Sequence, residues 1–211
     1  MTSINIPNSV TNIGYNAFIG CTSLKTITIP NSVTIFSSGA FSGCSSLKTI
    51  TIPNSVTNIN DKAFYGCTSL KTITIPNSVG VIGINPLSYC KNLTSIIVES
   101  GNTFYDSRNN CNAIIQTKYN GLISGCQNTT IPDGVKEIDV YAFSGCTGLT
   151  SIEIPVSVTS FRDNAFKDCV GLTSISYTGT IEQYNAISKG TDWNAKVPAT
   201  VVHCTDGDAP I

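Results

Sequence analysis

The stretch Thr26–Val33, T-I-T-I-P-N-S-V, decides the fold because it recurs unchanged at Thr49–Val56 and again at Thr72–Val79. The chain therefore repeats itself every 23 residues. A unit of this length cannot close a hydrophobic core of its own, so successive copies must stack and bury their apolar positions against their neighbours. The period predicts a repeat solenoid and not a globular domain.

Each copy contains an L-x-x-I-x-I pattern, which is typical of a strand with one buried face because apolar and polar positions alternate. Eight strands are predicted, stacked in parallel on neighbouring coils. Their first apolar positions lie 23 residues apart, except that Leu93 and Cys126 are separated by 33. One repeat is therefore irregular, at residues 99–125. The first positions are Met1, Leu24, Leu47, Leu70, Leu93, Cys126, Leu149 and Leu172.

A proline follows most of the strands and ends them, since it has no N–H to offer to a ladder. Behind it come a core valine, a second apolar residue three positions later, an Ala-Phe pair and a cysteine. The Ala-Phe segments are too short for stable α-helices and favour single 3₁₀ turns. The pairs are Ala17-Phe18, Ala40-Phe41, Ala63-Phe64, Ala142-Phe143 and Ala165-Phe166, with Pro86-Leu87 in the same position once.

The complete unit, L-x-x-I-x-I-P-x-S-V-x-x-I-x-x-x-A-F-x-x-C, resembles the BspA-like class of leucine-rich repeat over about residues 1–177. The resemblance implies a right-handed, curved solenoid with a parallel β-sheet on the concave side, short 3₁₀ turns elsewhere and little α-helix. It also implies a cell-surface or secreted protein that adheres to a host or matrix protein.

Six of the nine cysteines share one position of the repeat: Cys21, Cys44, Cys67, Cys90, Cys146 and Cys169. Stacked positions lie about 4.8 Å apart with parallel side chains, which is unsuited to a disulfide. The pattern predicts a column of buried thiols. Cys126 occupies a leucine position and is expected in the core, whereas a bridge between Cys111 and Cys204 remains open.

The irregular repeat contains A-I-I-Q-T and G-L-I-S on either side of Asn120-Gly121, which predicts a type I′ hairpin projecting from the solenoid, or a widened loop. With a two-residue turn, Ile115 would face Cys126. Binding residues are common on loops carried by a rigid scaffold. We therefore regard four residues as candidate contacts, with the alternative that the phenylalanine and the second tyrosine fill the irregular coil. They are Phe104, Tyr105, Arg108 and Tyr119.

The repeat pattern ends at Tyr177, and residues 178–211 are predicted to form a capping segment. Thr180-Ile181-Glu182-Gln183 is a capping box, and a short helix of about 181–188 follows, with Trp193 in the core of the cap. The first residues show no secretory leader and begin in mid-repeat, so we expect a fragment of a longer protein. No segment approaches the ~20 apolar residues of a membrane span.

The outward positions of the strands are mostly small hydroxyl residues, with a lysine beside three of them. We take these as candidate ligand contacts on the concave face: Thr26, Thr28, Thr49, Thr51, Thr72, Thr74, Lys25, Lys48 and Lys71. Residues 1–98 carry a net charge of +4 and residues 99–211 a net charge of −5. This polarity could steer a charged partner or have no role. A nucleic-acid partner is not expected, because three lysines without aromatic or arginine neighbours form no phosphate-tracking groove.

No catalytic, metal or cofactor motif is present in the sequence. The single histidine, His203, has no nucleophile or acid placed beside it by any pattern, and the cysteine spacing does not fit a zinc site. Three functions stay open: a protein-binding module of adhesion type, a rigid spacer that displays another domain, and an ice-binding surface formed by the Thr-x-Thr pairs.

Overall fold

The structure is a computed structural model that describes residues 2–211, so the predicted core position of Met1 lies outside the described residues. The chain forms a parallel β-solenoid of about nine coils with almost no helix. The prediction of a leucine-rich repeat solenoid is confirmed. In the described copies the leucine positions from Leu24 to Leu172 are buried, as expected of side chains that stack from coil to coil.

The strands are short, because each coil changes direction after a few residues. In chain order they are β1 (Ser3–Asn5), β2 (Asn12–Ile13), β3 (Thr26–Thr28), β4 (Ile35–Phe36), β5 (Asn58–Ile59), β6 (Thr72–Ile75), β7 (Val81–Ile82), β8 (Ser95–Val98), β9 (Tyr105–Asp106), β10 (Ala113–Gln116), β11 (Gly121–Gly125), β12 (Glu137–Ile138), β13 (Ser151–Ile154), β14 (Ser160–Phe161), β15 (Ser174–Tyr177), β16 (Ser188–Lys189), β17 (Val201–Cys204) and β18 (Gly207–Pro210).

The first sheet side is built from the L-x-x-I-x-I segments, and its strands pair in register one repeat apart. β1 pairs with β3, β6 with β8, and β13 with β15, which places each inward isoleucine beside its equivalent. Two of the eight predicted strands, at 49–52 and 128–131, do not form ladders. At 128–131 the inserted segment is the neighbour, since Thr130 N–H donates to Cys111 O at 3.0 Å.

A second sheet side, not predicted from the sequence, forms around the apolar residue that lies three positions after the core valine. β2, β4, β5 and β7 are parallel neighbours, and β12, β14 and β16 continue the same side further along. The serine of each P-x-S-V turn explains part of this stacking. Ser32, Ser55 and Ser78 donate to the valine carbonyl of the preceding coil at 2.7, 2.6 and 2.7 Å.

The Ala-Phe segments form turns in which neighbouring N–H groups bond in different directions. Ala17, Ile19 and Cys21 donate to the carbonyl three residues back, whereas Phe18 donates to Ala40 O of the next coil at 2.9 Å. The predicted 3₁₀ turns are therefore isolated i→i−3 bonds between coil-to-coil bonds. Two positions per turn have positive φ, occupied in the first coil by Asn16 (φ 52°) and Gly20 (φ 66°).

The inserted residues do not project from the solenoid, and that prediction was wrong. β9, β10 and β11 form an antiparallel meander that lies within the second sheet side, between β7 and β12. The turn spans Thr117–Asn120, and only Asn120 has positive φ, so it is not a two-residue type I′ turn. Ile115 pairs with Leu122 and not with Cys126. The segment is held inside because its apolar residues are buried on both faces of β10.

The core consists of two clusters that meet at the insertion. Tyr105, Ile114 and Cys126 pack with the first cluster, which begins at Ile6. Ala113 and Ile115 pack with the second cluster, which reaches Ala209. Because alternate residues of a strand point to opposite faces, β10 contributes to both clusters and separates them.

Residues 178–211 lack the repeat pattern but continue the solenoid geometry. β16 and β17 extend the two sheet sides in parallel, and β18 pairs antiparallel with β17. The helix α1 spans Ile181–Asn185 and ends earlier than expected, because Ser188 already belongs to β16 and its N–H donates to Thr159 O. The capping box forms, with Gln183 N–H donating to the Thr180 hydroxyl. The division at residue 177 into two domains stays a prediction.

Candidate functional site

The outward residues of three successive coils form one surface, which we name the threonine face. Its isoleucine neighbours point inward and are buried, so the alternation of the strand turns the intervening side chains toward solvent. All nine predicted residues are exposed: Thr26, Thr28, Thr49, Thr51, Thr72, Thr74, Lys25, Lys48 and Lys71. The structure therefore brings together the residues that the sequence selected.

The side-chain polar groups of the threonine face have no partners in the described part of the chain. No hydrogen bond between its six hydroxyls and another group of residues 2–211 occurs. Its three lysines are also absent from the four ion pairs found there, which are Arg108–Asp106, Arg162–Glu137, Lys196–Asp168 and His203–Asp208. Since equivalent backbone positions of stacked coils lie about 4.8 Å apart, the lysines form an unneutralised row.

The four candidate residues of the insertion separate into two structural and two exposed ones. Tyr105 is 5% exposed, and its hydroxyl accepts a hydrogen bond from Ile82 N–H at 3.0 Å. This contact joins β7 to β9 where no backbone ladder does. Tyr105 was expected at a contact surface, and its burial shows that this expectation was wrong for that residue.

Arg108 is held by its neighbours. Its guanidinium binds Asp106 through two hydrogen bonds of 2.8 and 2.6 Å, and it donates a third to Asn120 Oδ1 at 3.0 Å. The hydrogen bonds that Arg108 donates to Asp106 raise the pKa of Arg108 above its ordinary value. This bidentate geometry fixes the turn and leaves the side chain only partly exposed.

Phe104 and Tyr119 are 55% and 61% exposed, so neither fills the irregular coil as the alternative proposed. Both belong to the insertion, where Thr117, two residues before Tyr119, bonds the Phe104 carbonyl through both N–H and hydroxyl. One edge of the Phe104 ring lies over Gly80. We name these two exposed residues of the insertion the aromatic pair.

The cysteines form the predicted thiol column, and all nine are free. Cys44, Cys67 and Cys90 each donate to the phenylalanine carbonyl of the preceding coil, at 3.2, 3.2 and 3.1 Å. Burial raises the pKa of Cys44 and of Cys90 to about 12. Cys111 and Cys204, whose pairing was open, are not bridged. The thiols are therefore packing groups.

The remaining ionisable residues do not converge on a reaction centre. His203 lies on β17 and pairs with Asp208 through Nδ1 and Oδ1 at 2.8 Å, both side chains being more than half exposed. Within residues 2–211 no group of three or more His, Cys, Asp or Glu side chains is placed to hold a metal ion. Likewise, no helix in residues 2–211 has the length and apolar character needed to cross a membrane.

Sequence reasoning missed three tyrosines that line a groove of about 680 Å³ on the Ala-Phe side: Tyr65, Tyr89 and Tyr141. A signal for two of them exists in the repeat itself. Tyr89 stands where Gly20, Gly43 and Gly66 precede the cysteine, and Tyr141 stands where Asn16 and Asn164 precede the alanine. Both keep the positive φ of their position, at 61° and 59°. Most other coils carry glycine or asparagine at these two positions. A large ring there departs from the repeat, and this departure is visible in the sequence.

The sequence matches a family model described as a BspA type leucine rich repeat region, over residues 1–115 and 113–188. No curated protein matches it. Among solved structures, a leucine-rich repeat protein from Eubacterium ventriosum is similar with a TM-score of 0.72 at 23% identity, covering 98% of this chain and 60% of that one. The chain thus spans less than two thirds of the length of that relative.

Two further structures have the same fold. A leucine-rich repeat protein of T. pallidum gives a TM-score of 0.54 at 25% identity, covering 90% of this chain and 73% of that chain. The pneumococcal vaccine antigen PcpA gives 0.60 at 18% identity, covering 97% and 68%. Since the family model accounts for nearly all of the sequence up to residue 188, and the solenoid geometry agrees, the chain belongs to the BspA-type leucine-rich repeat family.

Proposed function

We propose that this chain is a non-catalytic, protein-binding module of adhesion type, and that the threonine face is its contact surface. The observation that carries the proposal is the set of six hydroxyls and three lysines on a rigid support, all exposed and without partners in the described residues. Threonine side chains are short and stiff, so their hydroxyls lose little conformational freedom on binding. The aromatic pair supplies a second contact, because large exposed rings are frequent anchors in interfaces.

The location of the module and the kind of partner it binds are inferred from the family. We infer a surface or secreted location for the whole protein, and a host or matrix protein as partner. The support is the family resemblance and the similarity of the fold to a pneumococcal vaccine antigen. The charge of the lysine row favours an acidic partner, because a row of like charges steers association with its opposite.

A binding assay on a panel of immobilised extracellular matrix proteins tests the proposal. The informative variant is Thr28→Glu/Thr51→Glu/Thr74→Glu, which adds three negative charges to the middle of the threonine face. We expect it to weaken binding at least tenfold, since like charge and lost hydroxyl contacts both oppose the complex. Phe104→Ala/Tyr119→Ala tests the aromatic pair without removing the buried strands of the insertion.

The matched control is Asn8→Glu/Asn31→Glu/Asn54→Glu, which adds the same charge at exposed turn positions beside the first sheet side. It should bind as the parent protein does. If the threonine-face variant and the aromatic-pair variant both bind like this control, the proposed surfaces are not the contact sites.

A second candidate, a rigid spacer, is favoured by the continuity of the coils. Backbone bonds join successive coils on the turn side and on both sheet sides, for example from Phe18 to Ala40 and from Thr34 to Thr11. A spacer would tolerate every surface variant above. Ice binding has less support, because the ladder is interrupted at residues 49–52, in the middle of the threonine face.

A further inference from the structure

The groove on the Ala-Phe side arises where the insertion interrupts the stacking of coils. Elsewhere the phenylalanine N–H of one coil bonds the alanine-position carbonyl of the next, as Phe64 does to Pro86 O at 3.0 Å. At the next junction the N–H of Gly125 donates to the carbonyl of Ala142 at 2.9 Å. In a regular repeat this bond would come from the N–H of Leu87. Tyr89 N–H still bonds Ser144 O at 3.0 Å, but the two coils diverge on one side of that bond and open the groove.

Gly125 makes this arrangement possible because it lies against the ring of Phe143. A Cβ atom on Gly125 would come within 2.2 Å of that ring. The end of β11 can therefore lie between the coils, where its Gly125 N–H donates to the Ala142 carbonyl. The groove is thus a consequence of the insertion and is not a property of the regular repeat.

Aromatic rings line the groove. Tyr65 and Tyr89 lie with ring centroids 5.1 Å apart and planes tilted by 48°, and Tyr141 faces them from the next coil in space. All three side chains are partly exposed. The hydroxyl of Tyr89 donates to Asp168, which fixes its ring across Gly145. The rings therefore form an ordered surface on which a flat, partly apolar ligand can pack.

A buried acceptor without a donor also lies in the wall of the groove. Asn85 is 6% exposed, and its Oδ1 has no hydrogen-bond partner in the described residues. Burial takes such an atom away from water, so an oxygen that gains no donor in exchange destabilises the fold. Asn85 also borders an adjacent cavity of about 310 Å³ next to Tyr105, so the space around it is not filled by packing. This oxygen has almost no accessible surface, so a ligand hydroxyl supplies the missing donor once the Asn85 side chain rotates toward the groove.

The charges at the groove are mainly positive. Lys62 and Lys167 line it, and neither takes part in an ion pair among the described residues. The carboxylate of Asp61 is also at the rim, where its Oδ1 accepts a hydrogen bond from Ile84 N–H at 2.7 Å. Two free cations and one engaged carboxylate favour a ligand that carries negative charge.

We propose that this groove binds an acidic saccharide, with the apolar face of a uronate ring packed on Tyr65 and Tyr89. A ring hydroxyl donates to Asn85 Oδ1, and the carboxylate lies toward Lys62 and Lys167. A saccharide unites the three properties the groove requires, namely a flat C–H face, several hydroxyl donors and an anionic group. Because the groove is open to solvent along the turns, an oligosaccharide chain fits it better than a single enclosed ring.

The test is calorimetric titration of the full chain with oligogalacturonate, and with its methyl ester as a probe that keeps the rings but loses the charge. We expect saturable binding of the acid, with about tenfold weaker binding of the ester. The variants Tyr65→Leu, Asn85→Gly and Lys62→Gln/Lys167→Gln should each weaken binding of the acid about tenfold. Glycine at position 85 keeps the positive φ while removing the amide.

The matched control is Lys25→Gln/Lys48→Gln, which removes the same charge from the threonine face and should leave saccharide affinity unchanged. The proposal is overturned if oligogalacturonate does not bind up to about 10 mM, or if the groove variants bind it as tightly as this control. Binding of poly-glutamate without binding of the saccharide would assign the groove to a protein partner and would equally overturn the proposal. Circular dichroism of each variant confirms that the solenoid is intact.

Discussion

At the scale of single residues, the turn positions with positive φ restrict the sequence most strongly. One of them, at Gly20, Gly43, Gly66 and Gly145, is glycine in four coils. An L-residue pays about 1–2 kcal/mol for this left-handed conformation. Gly145 has a second constraint, because a Cβ atom there would lie 2.5 Å from the ring of Tyr89. Glycine at position 145 is therefore favoured both by the positive φ of the turn and by the contact with Tyr89.

Gly145→Ala should destabilise the protein more than Gly66→Ala does. Both change φ-positive glycines, at 72° and 69°, but a Cβ at Gly66 meets only ordinary contacts at 3.8 Å. We expect a loss of about 1 kcal/mol for Gly66→Ala and about 2–4 kcal/mol for Gly145→Ala. Urea unfolding measures both. Equal losses would show that Tyr89 moves aside without cost.

Asp168 predicts a pH dependence of stability. Hydrogen bonds from Lys196 and then from Tyr89 lower the pKa of Asp168 below its ordinary value. Because the folded state holds this carboxyl at a lower pKa than the unfolded chain does, its contribution is present above the unfolded pKa of about 4. The contribution is lost as pH falls through the folded-state pKa.

Asp168→Asn should therefore cost about 1–2 kcal/mol at pH 7, with a smaller difference from the parent protein below pH 4. Asp133→Asn is the control, since Asp133 is exposed and makes no side-chain hydrogen bond within residues 2–211. Urea unfolding at several pH values gives the comparison. A difference that does not change with pH would remove Asp168 as the titrating group.

At the scale of elements, the Ala-Phe turn combines a thiol column, an aromatic stack and coil-to-coil backbone bonds. Phe18, Phe41 and Phe64 stack at centroid distances of 5.5 Å, and Phe143 stacks on Phe166 at 4.9 Å. The thiols of Cys44, Cys67, Cys90 and Cys169 bond the phenylalanine carbonyl of the preceding coil. The elements are short, yet each is held by neighbours on both sides, which explains how a chain almost without helix is ordered.

Thiol labelling tests this packing. At pH 8 and without denaturant we expect only Cys21 and Cys204 to react with a disulfide reagent, because the other seven cysteines are buried. Burial also raises the pKa of Cys204, so a smaller fraction of this thiol is in the reactive thiolate form at pH 8. In guanidinium chloride all nine should react. Rapid labelling of more than two thiols in the native protein would contradict the column.

At the scale of the whole molecule, the insertion separates the two clusters of the core. Ile114 is 1% exposed and belongs to the first cluster, whereas Ile115 is fully buried in the second. The segment that was expected to project from the solenoid thus contributes buried residues to both clusters. The same segment opens the tyrosine groove, so stability and the proposed saccharide site depend on one irregular repeat.

Ile114→Ala and Ile115→Ala should each cost about 2–4 kcal/mol, as expected for large-to-small changes in a packed core. Ile97→Ala is the control, since Ile97 is 49% exposed and should cost under about 1 kcal/mol. Chemical unfolding followed by circular dichroism gives the values. Small effects at both insertion residues would mean that this segment is peripheral in solution.

The sequence by itself determined the solenoid, its 23-residue period, the buried side of each L-x-x-I-x-I segment, the thiol column and the capping box at Thr180. These features are periodic or local, so a position's neighbours in the next coil are known as soon as the register is known. Only the tertiary structure decided that the insertion lies inside the second sheet side, that Tyr105 and Arg108 are structural, and that three tyrosines share a groove. Each of these depends on which coils become neighbours once the register is broken, and contacts between coils that are not one repeat apart leave no period in the sequence.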